Sequence, residues 1–227
     1  MPIYGIQQDK VRKKMSKAII FTGGGGPDSL PTDLLKQGDY LIAADSGYDM
    51  ARQLGISVHS VIGDFDSTQF AQEALAIEHE LHPVEKDHSD TYLAIEKALK
   101  HCDGEYVLVG GGGYRLDHLL QTYSLFSHFG PPSLWLTRYE SNILVSCAKR
   151  FDPLTKGTTV SLYPATLEGV ATVNARELRW PLKSYLLSFS SFSLSNRCTE
   201  KYLEVSVEGS PIFVSFPVAR SRAKVVR

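Results

Sequence analysis

The order of apolar runs along the chain limits the possible folds more than any single motif does. In the first two thirds, short β-rich runs alternate with helix-like patterns, which predicts a mostly parallel sheet wrapped by helices. The predicted strands are apolar on both faces, as expected for strands buried between two helical layers. They are Ala18–Thr22, Tyr40–Ala44, Val58–Ile62, Tyr106–Val109 and Ser133–Thr137.

Three stretches between these strands have the spacing of amphipathic helices. The clearest runs from Asp90 to Cys102, with its apolar side chains on one stripe. A second runs from Leu116 to Phe129 and stops at Gly130–Pro132, where a helix cannot continue. A third, weaker pattern covers Thr68 to about Glu78. The first part of the chain is therefore predicted to be a doubly wound, Rossmann-like α/β unit.

From about Tyr139 onward the pattern changes to closely spaced alternating runs without a helical segment. Such a pattern predicts an all-β sandwich or barrel. Glu208–Pro211 lies between two apolar alternating runs and predicts a β-hairpin. We therefore place a domain boundary between Arg138 and Ile143. The predicted units are residues 17–140 and 141–227, after a polar leader at 1–16.

The leader carries a cluster of basic residues. Such a segment is either a solvated leader or a contact for an anionic surface, and the sequence leaves both open. The cluster consists of Lys10, Arg12, Lys13, Lys14 and Lys17.

Charge and composition exclude several classes of protein. The formal net charge of −1 lacks the positive excess of a nucleic-acid binder. Cys102, Cys147 and Cys198 form no C-x-x-C pair, so neither a zinc cage nor a disulfide framework is indicated, and a cytoplasmic setting fits best. No apolar run approaches the roughly 20 residues that span a bilayer, so we expect no membrane insertion.

Two glycine runs follow predicted strands, Gly23–Gly26 and Gly110–Gly113. Glycine lets backbone N–H groups approach an anion, so the first run, with Gly24 and Gly25 at its centre, is a candidate phosphate cradle. Asp28 stands where a dinucleotide fingerprint would have its third glycine. A tight turn at the strand end explains the run equally well.

Two aspartates directly follow the strand Val58–Ile62. Asp64 and Asp66 would point to the same side of an extended segment and so share one small volume. Unit charges about 4 Å apart repel by about 4 kcal/mol at an effective dielectric near 20. Such a pair needs a raised pKa or a cation, and Mg²⁺ is the simplest partner for several converging carboxylates.

Further acids follow other predicted elements. Asp45 ends the strand Tyr40–Ala44, while Lys86, Asp87 and Asp90 lie at the start of the first helix. The carboxyl ends of the strands of a doubly wound sheet line one crevice, so acids after separate strands can meet there. For Asp87, capping of the helix is an alternative to ligand binding.

A third cluster opens the helix at Leu116. Arg115 offers planar positive charge suited to phosphate, and Asp117 would orient it. A surface ion pair between the two is the less favoured alternative. His118 is open to three interpretations: a base, a substrate hydrogen bond or packing.

Four segments in this order resemble the thiamin pyrophosphokinase family: AADSGYDMARQLGI, VIGDFDST, EKDHSDTYLAIEKAL and GGGGYRLDHLLQTYSLF. Downstream, ELRWPL and FSLSNRCTEKYLEVSVEG are similar to that family's β domain, so the resemblance covers about Ala18 to Phe216. It implies an α/β nucleotide domain, a β-sandwich and a homodimer with its active site between subunits. It also implies transfer of pyrophosphate from ATP to thiamine, giving AMP and thiamine diphosphate.

The resemblance also implies roles for individual residues. The implied Mg²⁺ ligands, directly or through water, are Asp45, Asp64, Asp66 and Asp90, and one of the last three would accept the hydroxyl proton. On the nucleotide side the resemblance implies Arg115 and Asp117. Further nucleotide-side candidates from the residues themselves are Gly24, Gly25, Lys86, Asp87 and His118. The implied thiamine-side residues are Ser195, Asn196 and, as a stacking aromatic ring, Phe192.

Two positions depart from the family pattern: Tyr114 replaces a glycine, and Thr122 stands where asparagine is common. Two other functions remain open on the residues alone. One is a pyrophosphokinase for another alcohol such as a pterin. The other is a non-catalytic nucleotide- or thiamine-sensing module, which would have little need of four acids.

Overall fold

The computed structural model describes residues 16–83, 85, 87–102, 104–113 and 115–218. The basic cluster of the leader up to Lys14, and the predicted positions Lys86 and Tyr114, lie outside the described residues. Among the described residues, no helix is long and apolar enough to cross a membrane.

The first part of the chain alternates strands and helices as predicted. The strands are β1 (Ala18–Thr22), β2 (Tyr40–Ala44), β3 (Ser60–Gly63), β4 (Glu78–Leu81), β5 (Tyr106–Val109) and β6 (Leu134–Leu136). The helices are α1 (Gly47–Gln53), α2 (Ala71–Ala74), α3 (Asp90–His101) and α4 (Leu116–Phe129).

These six strands are all parallel and lie in the order β4-β3-β2-β1-β5-β6. The chain builds outward from β1 to β4 and then returns to add β5 on the other side of β1. The strand order therefore reverses between β1 and β5, and a crevice is expected at the carboxyl ends of these two strands.

Both faces of the parallel sheet are covered, as a doubly wound fold requires. One face packs against α3 and α4 in a core that includes Ile20, Ile95 and Phe126. The other packs against α1 and α2 through Phe21 and Ala51, among others. The predicted fold class is confirmed on this point.

The rest of the chain is all β. Its strands are β7 (Glu140–Val145), β8 (Ala148–Phe151), β9 (Thr159–Pro164), β10 (Ala171–Ala175), β11 (Leu182–Leu187), β12 (Ser193–Arg197), β13 (Leu203–Gly209) and β14 (Ile212–Pro217). Four of them form a separate sheet in the order β11-β10-β13-β8. That sheet packs across an apolar core onto β7, β9 and β14, so this part is a sandwich.

The inner sheet of the sandwich is continuous with the parallel sheet. β7 pairs antiparallel with β6, and the strands β14, β9 and β12 follow it, giving one sheet of ten strands. The connection from β6 to β7 is tight, since the Thr137 N–H donates to the Glu140 carbonyl at 2.9 Å. The sandwich and the α/β unit are therefore joined through one hydrogen-bonded sheet.

Two local predictions are wrong. Glu208–Pro211 does not join a hairpin, because β13 pairs with β8 and β10 whereas β14 pairs with β7 and β9. This turn carries the chain from one sheet to the other. The helix predicted from Thr68 to about Glu78 is limited to the four residues of α2, because the preceding loop is bound by Asp49 and Glu78 begins β4.

Candidate active site

A cavity of about 270 Å³ lies at the point where the strand order of the parallel sheet reverses. Its walls come from the carboxyl ends of β1, β2 and β5 and from the first turns of α3 and α4. Every parallel strand delivers its last residues to this same edge, so residues distant in sequence meet here. Of the predicted residues, Gly24, Asp45, Asp90, Arg115 and His118 line this cavity.

The two glycine runs pack against each other at the floor of the cavity. The Gly111 N–H donates to the Gly23 carbonyl at 2.7 Å. Gly24 has φ +83°, and a Cβ there would lie 3.2 Å from the Gly113 carbonyl oxygen. Glycine is therefore required for turn conformation and close approach, which is the tight-turn interpretation. Gly25 does not line this cavity and faces a neighbouring groove.

Three carboxylates converge beside the cavity. Asp45, Asp64 and Asp66 each place one oxygen so that all lie within 4.8 Å of one another. Oxygen ligands on opposite sides of one Mg²⁺ are about 4.2 Å apart, so the spacing suits a single ion. The Ser67 hydroxyl donates to Asp45 Oδ2, whereas Asp45 Oδ1 is buried and has no hydrogen-bond donor among the described residues. An uncompensated buried oxygen of this kind fits a cation ligand.

The negative charges of these three carboxylates repel one another. The negative charge of Asp64 raises the pKa of Asp66, with a smaller contribution from Asp45. The Asp66 N–H also donates to Asp64 Oδ1 at 3.2 Å, which holds the two residues in one tight turn. Carboxylates held this close are tolerated when a cation compensates them.

The segment from Asp64 to Asp66 was predicted to be extended, and this prediction is wrong, although the two side chains do lie close together. Phe65, between them, has φ +62°, a conformation that costs a bulky residue of order 1–3 kcal/mol. Its ring is 7% exposed and packs in the core on the α1 side of the sheet. Burial of Phe65 thus turns the chain and leaves both flanking carboxylates at the surface of the site.

Asp90 approaches the cluster from the start of α3. A Cβ placed on Gly63 would lie 3.2 Å from both Asp90 Oδ1 and Asp45 Cβ, so a side chain at position 63 would crowd the two acids. Ser89 is the N-cap of the helix, and its hydroxyl accepts from the Tyr92 N–H at 3.3 Å. The capping interpretation of Asp87 is therefore wrong. Asp87 is exposed and is not among the residues that line the cavity.

Positive charge reaches the cavity from the start of α4. Arg115 forms a two-point ion pair with Asp117, with Nε–Oδ1 and Nη2–Oδ2 distances of 3.1 and 2.6 Å. The hydrogen bond from Arg115 lowers the pKa of Asp117. Both side chains are about two-thirds exposed, so the pair itself adds little stability. Arg115 and the exposed His118 are accessible to a ligand in the cavity.

The predicted thiamine-side residues lie in the sandwich and do not line this cavity. Phe192 is partly buried, with ring centroids 5.8 Å from Tyr163 and 5.5 Å from Phe189. Ser195 is exposed and has φ +53°.

Asn196, in contrast, is 2% exposed. Its amide donates to the Trp180 carbonyl at 2.8 Å and accepts from the Trp180 N–H at 3.2 Å. Its second amide hydrogen is directed to Ser193 Oγ at 3.4 Å, and its oxygen also accepts from the Arg197 N–H at 2.9 Å. A direct hydrogen bond from Asn196 to a substrate would have to replace one of these four bonds.

Sequence reasoning missed several polar residues of the cavity. All but Gln121 share a positional signal, since each of the other five lies at a strand end or next to a predicted acid, whereas Gln121 lies within α4 one turn after Asp117. The missed residues are Thr22, Ser46, Ser67, Ser89, Thr91 and Gln121.

Family models match most of the chain. The model described as thiamin pyrophosphokinase, catalytic domain, matches residues 31–134. The model described as thiamin pyrophosphokinase, vitamin B1 binding domain, matches residues 141–210. The chain belongs to the thiamin pyrophosphokinase family. The resemblance inferred from the sequence is thereby confirmed, and the alternative alcohols and the sensing module are not favoured.

Solved structures of the thiamin pyrophosphokinase family have the same fold. A family protein from Enterococcus faecalis is 23% identical, with a TM-score of 0.68, over 90% of this chain and 100% of that one. The enzyme from Bacillus subtilis is 20% identical, with a TM-score of 0.69 over 90% and 100%. That from Candida albicans is 14% identical, with a TM-score of 0.67 over 90% of each chain. Among curated proteins, none matches the sequence significantly.

Proposed function

We propose that this member of the thiamin pyrophosphokinase family transfers pyrophosphate from ATP to the hydroxyl of thiamine, giving thiamine diphosphate and AMP in a Mg²⁺-dependent reaction. The observation that carries the proposal is the convergence of Asp45, Asp64 and Asp66 beside the cavity at the strand-order reversal. Membership of a family with both a catalytic and a vitamin B1 binding model supports the choice of substrate.

Asp45, Asp64, Asp66 and Asp90 would hold Mg²⁺, directly or through water. A triphosphate carries several negative charges, and an acidic site would repel it without a cation. Bound Mg²⁺ would neutralise this charge and polarise the phosphate oxygens. The fit rests on the spacing of three carboxylates and on the buried Oδ1 of Asp45.

The remaining residues of the cavity would bind and orient the nucleotide. Arg115 would contact the phosphate chain from the α4 side, with Asp117 fixing the plane of its guanidinium. His118 would offer a hydrogen bond beside it. Gly24 would shape the floor by allowing the close turn after β1. For Lys86, Asp87 and Gly25, a nucleotide contact remains a prediction from the sequence.

In the proposed reaction the thiamine hydroxyl oxygen forms a bond to the β-phosphorus of ATP. The bond from that phosphorus to the oxygen bridging it to the α-phosphorus breaks, and AMP leaves with the bridging oxygen. Asp64, Asp66 or Asp90 would accept the hydroxyl proton, since a carboxylate at this position is both basic and close to the phosphates. Positioning and charge neutralisation supply most of the rate enhancement in reactions of this type.

Thiamine would bind on the sandwich, residues 141–227, next to Phe192 and Ser195, while residues 17–140 form the catalytic unit. The thiazolium ring is permanently cationic, and an aromatic face attracts it by about 0.5–2 kcal/mol. Asn196 would support this surface by holding the backbone of Trp180.

Because the thiamine-side residues do not line the cavity of the same chain, we propose a homodimer in which two subunits complete each site. Large apolar side chains exposed on α4 and on the sandwich support this assembly. They are Leu116, Leu120, Trp180, Leu186, Phe189 and Leu194.

The proposal is tested by measuring AMP and thiamine diphosphate after incubation with ATP and Mg²⁺. Both products are expected only when thiamine is present, and chelation of Mg²⁺ with EDTA should abolish both. Transfer to a pterin alcohol but not to thiamine would contradict the substrate. Binding of ATP and thiamine without any AMP release would contradict catalysis.

A further inference from the structure

The floor of the cavity contains two threonine hydroxyls that hydrogen bond to each other. Thr22 is the last residue of β1 and Thr91 the second residue of α3, and their Oγ1 atoms are 2.6 Å apart. Both residues line the cavity. Thr22 is 4% exposed, whereas Thr91 is partly exposed. Thr91 is therefore the member of the pair that a bound molecule can reach.

Packing fixes the orientation of the Thr22 side chain. A Cβ placed on Gly111 would lie 3.3 Å from Thr22 Cγ2, so the methyl group faces the glycine run after β5. The hydroxyl then faces α3. A β-branched side chain has few alternative rotamers, so this arrangement holds the hydroxyl against Thr91.

On geometry alone either hydroxyl could donate, and burial favours Thr22 as the donor. A buried hydroxyl proton without an acceptor is costly, and Thr91 Oγ1 is the side-chain acceptor that the described residues offer to Thr22. Thr22 therefore donates and Thr91 accepts. The Thr91 proton then has no acceptor among the described residues, and it is available on the wall of the cavity.

The chemistry of the cavity indicates what this proton meets. Asp45 and Asp90, which also line the cavity, would hold a cation, and Arg115 at the start of α4 favours an anion. A ligand that contacts both a bound cation and Arg115 would need several acceptor oxygens. The first turn of α3 also favours negative charge. A phosphate chain has these properties, whereas a nucleobase or a sugar would bring donors of its own.

We propose that the Thr91 hydroxyl donates a hydrogen bond to a phosphate oxygen of the nucleotide, and that Thr22 is a positioning residue that orients it. This inference rests on the proposed function, since it takes ATP as the co-substrate. The inference adds an uncharged hydrogen-bond donor to the acidic and basic residues that line the same cavity.

The test is the dissociation constant of Mg-ATP, measured by calorimetry on the full-length wild type and on Thr91→Val, Thr91→Ser, Thr22→Val and Thr22→Ser. Thr91→Val keeps the shape and removes the hydroxyl, and we expect about tenfold weaker binding or more, as for a hydrogen bond to a charged group. Thr91→Ser and Thr22→Ser should stay within about twofold of the wild type. Unchanged melting temperatures would show that the variants are folded.

Thr22→Val should weaken binding less, by about threefold, because Thr91 keeps its proton but loses its orientation. The double valine variant should bind no more weakly than Thr91→Val alone, since Thr22 acts only through Thr91. Additive losses, or a Thr91→Val variant that binds Mg-ATP like the wild type, would overturn the inference.

Displacement of Mg-ATP by tripolyphosphate tests whether phosphate is the group contacted. If phosphate is the group contacted, the inhibition constant of tripolyphosphate should rise from wild type to Thr91→Val by about the same factor as the dissociation constant of Mg-ATP. An equal inhibition constant for both proteins would overturn the inference. A wild type that binds Mg-ATP but releases no AMP with thiamine would refute the proposed activity alone. A wild type that binds no Mg-ATP would refute both.

Discussion

Asp66 is the most exposed of the three clustered carboxylates, and the negative charges of Asp64 and Asp45 repel its own. Such an arrangement contributes nothing to the stability of the chain, because close like charges repel. It is consistent with a site whose geometry serves a cation. The same residue can therefore be changed with little effect on folding.

Asp66→Asn keeps the size of the side chain and removes the charge. We expect kcat for AMP formation to fall about 100-fold or more, because a cation ligand is lost. The free energy of unfolding should change by no more than about 0.5 kcal/mol at this exposed position. Steady-state kinetics and urea unfolding measure the two effects. The control is Asp33→Asn, which changes an exposed aspartate outside the site. Near-normal turnover by Asp66→Asn would exclude Asp66 from the site.

Phe192 is the aromatic residue that we place beside thiamine. Phe192→Ala should raise the KM for thiamine about threefold to thirtyfold, because the cation–π attraction is lost, and leave the KM for ATP nearly unchanged. Kinetics with each substrate varied in turn measure this difference. Phe192→Tyr keeps the ring and should behave like the wild type. Equal increases in both KM values would argue against stacking.

At the scale of elements, the site depends on how closely α1 approaches β1. Gly47, the first residue of α1, lies against the end of β1, and a Cβ there would be 2.2 Å from the Phe21 carbonyl oxygen. A backbone atom cannot move aside as a flexible side chain can. The glycine therefore sets the position of α1 and, just before it, of Asp45.

Gly47→Ala should displace α1 and destabilise the protein by about 1–3 kcal/mol, the usual cost of overpacking. Turnover should also fall, because Asp45 moves with the start of the helix. Thermal or urea unfolding and AMP release measure the two effects. Gln53→Ala, on the exposed side of the same helix, should change stability by less than about 0.5 kcal/mol. A fully stable Gly47→Ala protein would contradict this role of the glycine.

Elements with strong local signals were predictable. α3 and α4 have an apolar stripe and a clear end, and their predicted bounds agree with the structure to within a residue. β4 was missed because its sequence, EHEL, is mostly polar and all four residues are exposed at the edge of the sheet.

At the scale of the whole molecule, the exposed apolar side chains of α4 need an explanation. Leu116 and Leu120 lie one turn apart and are 70% and 53% exposed. Phe189 is 49% exposed and contacts Tyr123 on the same helix. We expect this apolar surface to contact the second subunit of the proposed dimer.

Replacing both Leu116 and Leu120 with glutamate should shift the protein from dimer to monomer at micromolar concentration, because burying two unpaired charges opposes association. Sedimentation velocity measures the mass. AMP release should fall in parallel if two subunits complete each site. Leu81→Glu, 63% exposed on β4, is the control and should leave the mass unchanged. A wild type that sediments as a monomer would contradict the dimer itself.

The sequence by itself determined the chemistry of the segments. Buried parallel strands, the acids that follow β2 and β3, and the helix that begins at Asp90 are local features of the sequence, visible in its hydrophobic pattern and in the position of its carboxylates. Their order also identified the family. These features can be predicted from the sequence because each depends on residues within a few positions of one another.

Only the tertiary structure decided which segments meet. It brought Thr22 to Thr91 across 69 residues, used the Asn196 amide to hold Trp180, and placed β13 and β14 in different sheets. The positive φ of Phe65 likewise follows from burial of its ring rather than from its own preference. Such features depend on packing between distant parts of the chain, where burial and hydrogen bonding outweigh local conformational preference.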